Sequence, residues 1–458
     1  MATDDDDGAA SRAASGPVLP WPAPRRAWYA VAILHVAYAL AILDRISIGL
    51  LVDPIKRDLG VSDTQMGLLQ GLAFALFYVL FSFPVGYLVD RWGRVRLLAG
   101  GILLWSAATI ASGFSRSFPA LFASRIMVGA GEATVTPVAS SMIGDLFPPA
   151  QRGRAFGVLN LGGTLGTGLA YVVGGAAIGI AQVLRAAGPG WLAGYRDWHI
   201  VYFVIGLPGL LVAALLIFTI GEPARRERRH ASGGGAGLRE TLAHMRRNAL
   251  AYLSIILGAV LSTMLINAGI AWYPTLIMRV YGWSAAEVGL WFGLIGLPCG
   301  AISALSGGWV LSWLARRGRV DGPILVVIVQ SSVWILFGTF KSLAPSPELA
   351  LLAHFVTSLA SVWSVTAILA GLVQITPNEM RGQVTALYVV SSGFIGLTIG
   401  TAIVGLLSDH VFQGHGGIAW SLGSVYCLGG AASVLVLLAG RRAFIRAVRA
   451  SGSWATAG

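Results

Sequence analysis

The chain has 458 residues, of which 56% are hydrophobic and only 11% charged, and its mean hydropathy is +0.74. Soluble domains carry about 25% charged residues, so the composition excludes a soluble protein and reads as a polytopic membrane protein. The net charge of +12 raises nucleic acid as a partner, a reading that the placement of the charge excludes.

Residues 1–26 are rich in Ala, Gly, Ser and Pro with four aspartates at Asp4 to Asp7. They hold no apolar signal-peptide core and are expected to form a disordered cytoplasmic tail. Apolar runs follow at 27–51, 65–89, 96–115, 119–143, 155–182 and 199–220. Each reaches the roughly 20 residues a spanning helix needs. A polar linker, 221–248, precedes six more runs at 249–278, 285–313, 322–341, 348–375, 383–408 and 417–440, and a second cytoplasmic tail covers 441–458. Runs this long exclude the alternation of a β-barrel. The expected fold is an all-α membrane protein with twelve transmembrane helices in two six-helix bundles, 27–220 and 249–440.

With both termini inside, 23 of the 32 Lys and Arg fall on cytoplasmic segments, seven on external ones, and two, Arg45 and Arg125, within the membrane. This satisfies the positive-inside rule. The basicity is therefore topological, set against anionic inner-leaflet lipid. Abundant Ala, Gly and Arg with only two lysines point to a GC-rich bacterial genome, hence an inner membrane. Two loops repeat the pattern P-x-x-x-R-G, Pro148 to Gly153 and Pro377 to Gly382. Equivalent loops after the fourth and tenth runs imply two related bundles around a central cavity.

The costly residues are the charges at bilayer depth, where each is worth roughly 2.5 kcal/mol or more and marks a transport path. Arg125 and Glu132 lie in the fourth run, seven residues and about 10.5 Å apart on nearly one face. Asp44 and Arg45 lie in the first and point about 100° apart. The second half is expected to hold no charge at this depth. Two acids and two bases are neutral together, and protonating either acid leaves a positive site for an anion. Desolvation favours a protonated carboxyl and a nearby arginine favours the carboxylate. Glu132, with no base adjacent in sequence, is therefore the first candidate to carry a proton, and Asp44 the second. The plainer alternative is four residues that only brace the helices as buried salt bridges.

Gly86-Tyr87-Leu88-Val89-Asp90-Arg91-Trp92-Gly93-Arg94 resembles the G-x-x-x-D-R-x-G-R signature of the major facilitator superfamily, and Arg125-x-x-x-Gly129-x-Gly131 its fourth-helix motif. Ile42-Leu43-Asp44-Arg45, Asp53-Pro54-Ile55-Lys56, Gly131-Glu132 and the Asp145 to Pro149 run resemble the Spinster branch. The resemblance implies proton-coupled export of lysolipids or sphingosine phosphates by alternating access, with helices one, four, seven and ten lining the cavity. It brings Asp44 and Arg45 toward Glu132 and Arg125, and the charge argument above then makes Glu132 and Asp44 the expected proton carriers and Arg45 and Arg125 the expected anion ligands. Asn267, Tyr273 and Trp363 are candidates on the facing wall. It further implies a cytoplasmic gate of Gly86, Asp90, Arg91, Gly93 and Arg94 with Asp145 and Arg152, latched to the start of helix eleven at Arg381. Ser312 replaces the aspartate in the corresponding loop of the second half, so no second latch is expected there.

Gly157, Gly166, Gly174 and Gly175 have the spacing of the family's antiporter motif, but Ala170-Tyr171 stands at its centre, and close packing is the expected role. No phosphate-binding G-x-x-x-x-G-K-[ST] occurs, and no histidine has metal-ligand spacing. The expectation is a monomeric non-enzyme with protons as its coupling ion and no other cofactor, binding a small amphipathic anion. The alternatives are a symporter of small organic or sugar acids, in which Arg45 and Arg125 clamp a carboxylate, and a receptor or scaffold without turnover.

Overall fold

The structure is a computed structural model that describes residues 20–226, 237–414 and 416–451. Most of the expected N-terminal tail, the middle of the linker and residues 452–458 lie outside it. Among the described residues, twelve helices are long and apolar enough to cross a membrane. They are α1 (Pro24–Leu59), α2 (Asp63–Arg91), α3 (Arg94–Ser112), α4 (Phe118–Leu146), α5 (Pro149–Ala187), α6 (Asp197–Thr219), α7 (Ala249–Tyr281), α8 (Ala285–Arg316), α9 (Gly322–Leu343), α10 (Pro347–Ile375), α11 (Asn378–His410) and α12 (Gly417–Ser451). Several overrun the apolar runs, because backbone hydrogen bonding continues where lipid contact ends. Thus residues 441–451, expected as tail, continue α12 and bury Phe444, and the linker holds a short helix, Leu238–Arg247.

Local signals place the corners of both bundles. Gly60 closes α1 at φ 63°, a left-handed position that suits glycine, and Ser62 opens α2 in a capping box with Gln65. Gly282 closes α7 at φ 72°, and Ser284 opens α8 with Glu287 in the same way. The two halves therefore share this turn as well as the P-x-x-x-R-G loop. They also share a helix break. In α4 the helix stops at Glu132 and resumes at Val135, and in α10 it stops at Leu359 and resumes at Trp363.

One apolar cluster crosses between the halves, joining Leu50, Val52 and Met66 to Trp272, Leu276 and Val404. Two others stay within one half each, around Val138 and Met142 and around Ile324 and Leu372. The crossing cluster lies toward the face opposite the termini, so the bundles meet there. Glycines set the closest approach. On α5, Gly175 and Gly168 face Gly289, Gly293 and Gly296 of α8, and a Cβ on Gly289 would stand 2.4 Å from the Tyr171 carbonyl. Of the glycines singled out by spacing, Gly166 and Gly174 abut α1, Gly175 abuts α8, and Gly157 faces open space.

One expectation is corrected. The second half does carry a charge at depth, Lys341 near the end of α9, whose side chain is only 2% exposed. Its position at the edge of an apolar run reads as external, but the side chain turns inward.

Backbone cannot yield to a new methyl as a side-chain tip can. Gly289→Val is therefore expected to lower stability by roughly 1–3 kcal/mol, read as a fall in the thermal unfolding midpoint in detergent, whereas the open Gly157→Val should leave it unchanged.

Candidate functional site

The four membrane charges meet as two pairs across α1 and α4. Arg45 places Nε and one terminal nitrogen on the same oxygen of Glu132, Oε2, each at 2.6 Å. Arg125 donates to Asp44 Oδ2 at 3.1 Å. The break after Glu132 positions that residue, with Thr134 Oγ1 turned back onto the Gly131 carbonyl at 2.8 Å. Gly129 and Gly131 let α4 approach the backbones of α2 at Phe74 and of α3 at Gly101. As expected from the 100° between them, Asp44 and Arg45 take different partners. Glu132, without a base beside it in sequence, acquires one from α1.

Exposure divides the roles. The Glu132 side chain is 0% exposed, whereas Arg45 is 31% exposed and lies over the rings of Phe74 at 4.3 Å and Tyr78 at 5.0 Å. Glu132 Oε1, Asp44 Oδ1 and Arg125 Nε are buried and unpartnered. Each acid thus spends one oxygen on its arginine and leaves the other without a hydrogen-bond partner. A cavity of about 150 Å³ between the halves is lined by Arg45, Arg125, Gln70, Phe74, Asn267 and Thr401, among others. Asn267 reaches it with its amide donating to the Thr263 carbonyl at 2.8 Å. Tyr273 and Trp363 do not. Tyr273 is buried inside the second half and donates to the Ala350 carbonyl, and the Trp363 indole donates to Ser306 Oγ.

The face opposite the termini is closed by an ionic clamp that sequence reasoning passed over. Arg279 of α7 reaches Asp53 on α1 at 2.7 Å and Asp63 on α2 at 2.8 Å. Asp63 also receives Lys56 and the Ser408 hydroxyl, and Asp409 of α11 accepts from the Asp63 and Thr64 backbone N–H groups. Thr275 Oγ1 donates to the Gly49 carbonyl one turn deeper. The signal was present, as acids and bases at the ends of the first, second, seventh and eleventh runs.

On the terminal face the expected gate residues divide. Arg94 is fully buried and binds Asp145 together with Glu222, the latter at 2.9 Å. Arg152 donates to the Phe147 carbonyl, and Arg91 stacks on Tyr87. Gly93 passes close to Glu222, while Gly86 faces open space. The latch from Asp90 to α11 is not made. Arg225 caps that end of α2 through the Asp90, Val89 and Trp92 carbonyls, and Arg381 folds back onto the Thr376 carbonyl and Asn378. Glu222 and Arg225, read only as linker, complete the cluster. The second half closes its own corner with Asp321, which binds Arg319 and, at 2.7 Å, Arg441.

Among the described residues, the ion pairs that join the two halves lie on the face opposite the termini, and those of the terminal face do not cross between the halves. The family model of the Major Facilitator Superfamily matches residues 34–401. The chain belongs to that superfamily. Among its relatives, an MFS-type efflux pump of Mycolicibacterium smegmatis is 26% identical over 90% of this chain and 91% of that protein. The sphingosine-1-phosphate transporter SPNS2 of Mus musculus is 29% identical over 83% and 70%. A crystal structure of a bacterial homologue of the human lysosomal transporter Spinster, inward-facing and unoccupied, superposes with a TM-score of 0.75 at 25% identity, covering 93% and 98%. The similarity places this superfamily member with the Spinster branch, and such carriers are transporters, not enzymes.

Two outcomes follow from the two faces. Arg279→Ala removes the bonds from α7 to α1 and α2, so a cysteine introduced at cavity-lining Ile270 should react several-fold faster with an impermeant maleimide from the opposite face. Unchanged labelling would mean the clamp does not close that face. Burial alone would push the Glu222 carboxyl up, but the Val95 N–H and the Arg94 guanidinium outweigh it and hold it below the ordinary 4.5. A lowered folded-state value gives stability that is present above the unfolded value and lost as pH falls. Glu222→Gln should therefore lower the unfolding temperature at pH 7, and the difference from wild type should shrink as pH drops below about 4.5.

Proposed function

We propose that this carrier couples proton movement to transport of an amphipathic anion, of the lysolipid or sphingosine-phosphate class, with Glu132 and Asp44 carrying the proton and Arg45 and Arg125 holding the anion. One observation carries the reading. The cavity-facing arginine, Arg45, is held through a single oxygen of a buried carboxylate whose other oxygen is unpartnered. A proton on Glu132 Oε1 removes the charge that competes for Arg45, and the guanidinium, with five donors in a planar fork, becomes free to turn its charge to an anion in the cavity. Loss of the proton restores the pair and expels the anion. Phe74, Tyr78, Ile270 and Leu397 give the remainder of the site an apolar surface suited to a chain or ring on the same ligand.

The excess of Lys and Arg on the terminal face argues that this face is cytoplasmic, which makes the present state inward-open. Return to the outward state requires the Arg279 clamp to break and the Asp90 end of α2 to meet α11. The name of the murine relative favours a phosphorylated lipid as cargo, and that of the mycobacterial relative favours outward movement.

The test uses purified protein in liposomes with an imposed pH gradient, a fluorescent lysophosphatidate as one probe and radiolabelled D-glucarate as the other. Gradient-driven movement of the lysolipid by wild type and its loss, at least tenfold, in Glu132→Gln are expected. Undiminished proton-driven transport in that variant removes Glu132 from the mechanism, and movement of glucarate alone overturns the lipid assignment. Arg45→Ala should weaken lysolipid binding at least tenfold, and unchanged affinity would leave the four charges as braces only.

A further inference from the structure

Lys341 lies two residues before the end of α9, yet its ammonium turns back toward the helix middle. Nζ lies 5.2 Å from the ring centre of Trp334, two turns earlier on the same helix. It also lies over Tyr273 of α7 at 4.4 Å and Tyr426 of α12 at 5.0 Å. Among the described residues the ammonium's one hydrogen bond goes to Thr357 Oγ1 of α10 at 3.3 Å. Lysines near helix ends ordinarily extend toward the interface. This one does the reverse.

The neighbours are of two kinds. Three ring faces surround the ammonium and attract it as a cation. The titratable groups packed around it are Tyr273 from α7, His354 from α10 and Tyr426 from α12. Among the described residues no carboxylate lies within ion-pair distance of Nζ. The same cage keeps unused polar atoms, because Trp334 Nε1, Tyr426 OH and His354 Nδ1 are all buried and unpartnered. An ammonium can only donate, whereas a neutral amine also accepts. The rings thus serve the charged form of Lys341, while burial without a paired carboxylate serves the uncharged form.

Two helices are reshaped to build this cage. α9 carries a π-helical turn at Trp334–Gly338 and α12 another at Val425–Gly429, and the two pack together. Such turns tend to mark functional sites. The cage also sits directly behind the wall of the central cavity. Asn267, Ile270 and Ala271 of α7 line that cavity, while Gly269 and Tyr273 on its other side face the cage, and a Cβ on Gly269 would stand 2.4 Å from the Tyr426 hydroxyl. Tyr273 is followed by Pro274, where α7 lacks a backbone hydrogen bond and bends easily. One and a half turns further on is Arg279 of the clamp.

We propose that Lys341 is a second proton-binding site of the carrier, seated in the C-terminal half and exposed or covered by the Tyr273 segment of α7 as the Arg279 clamp opens or closes. The proposal extends the proton-coupled reading given above and rests on it. In the clamped state the cage is sealed. When α7 withdraws from α1 and α2, Tyr273 moves and the amine gains a route for proton exchange.

The chain contains only two lysines, Lys56 and Lys341, so 13Cε-lysine labelling of the full-length protein gives two resonances, assigned with Lys56→Arg. They are followed from pH 5 to 9, without substrate, in wild type and in Gly67→Leu/Arg279→Ala. In that variant the leucine forbids closure, since a Cβ on Gly67 already comes within 2.5 Å of the Thr401 carbonyl. The expected result is a Lys341 resonance that moves between its ammonium and amine positions and does so at a different pH in the two proteins. A resonance that keeps one protonation state throughout, or that titrates identically in both, overturns the proposal. Because this readout needs no cargo, its failure is distinct from failure of the proton-coupled reading, which would appear as gradient-independent transport by wild type.

Discussion

The bond between Arg45 and Glu132 is the constraint around which the N-terminal half is arranged. A carboxylate with no solvent exposure inside a spanning helix needs a cation within reach, and removing one member of such a pair costs about 3–5 kcal/mol. Meeting that need draws α4 onto α2 and α3 through Gly129 and Gly131 and ends the first part of the helix at the acid itself. It also leaves Arg45 half in the cavity, where its charge is shared between a fixed acid and whatever enters. On the proposed reading, structural brace and binding group are one residue in two protonation states of its partner.

The contacts between halves have the opposite character. Asp53 and Arg279 are each partly exposed, and an ion pair of that kind is worth about 0–1 kcal/mol, whereas Asp63, the other partner of Arg279, is buried. These few bonds, backed by the apolar cluster around Trp272 and Leu276, hold one face shut. The terminal face is built for permanence within each half instead, since Arg94 and Asp321 bind residues of their own bundle.

Much of this was legible from residue types alone. Twelve long apolar runs, a repeated loop and four charges at depth determine the fold, the two halves and the central site, because each reflects a cost that lipid imposes on every backbone and charge. Asn267 was also found, as a polar residue on a helix expected to line the cavity. Tyr273 and Trp363 were not separable from it, since an aromatic in an apolar helix satisfies its polar atom on either side, here through Ala350 and Ser306. The clamp escaped because its members sit at helix ends, where charge is ordinary and only the fold brings residues 53, 63 and 279 together. Lys341 was misplaced for a related reason, as its position in sequence does not determine which way its side chain turns. The Gly60 to Ser62 turn and its twin at Gly282 to Ser284 were available as a second internal repeat and went unread.

The π-helical turn at Trp334–Gly338 has a further meaning for Lys341. A π turn holds one residue more than the α turn it replaces, and one residue corresponds to about 100° of rotation along a helix. Everything beyond it in α9 is therefore turned by roughly a quarter of a circle relative to an uninterrupted helix. Without that extra residue Lys341 would project from a different side of α9, away from the ring of Tyr273. A single inserted codon is thus enough to carry a charge from one environment to another while leaving the helix's length, ends and hydrophobic content nearly untouched. In a membrane protein that is an economical way for a new ionisable centre to arise inside an existing bundle.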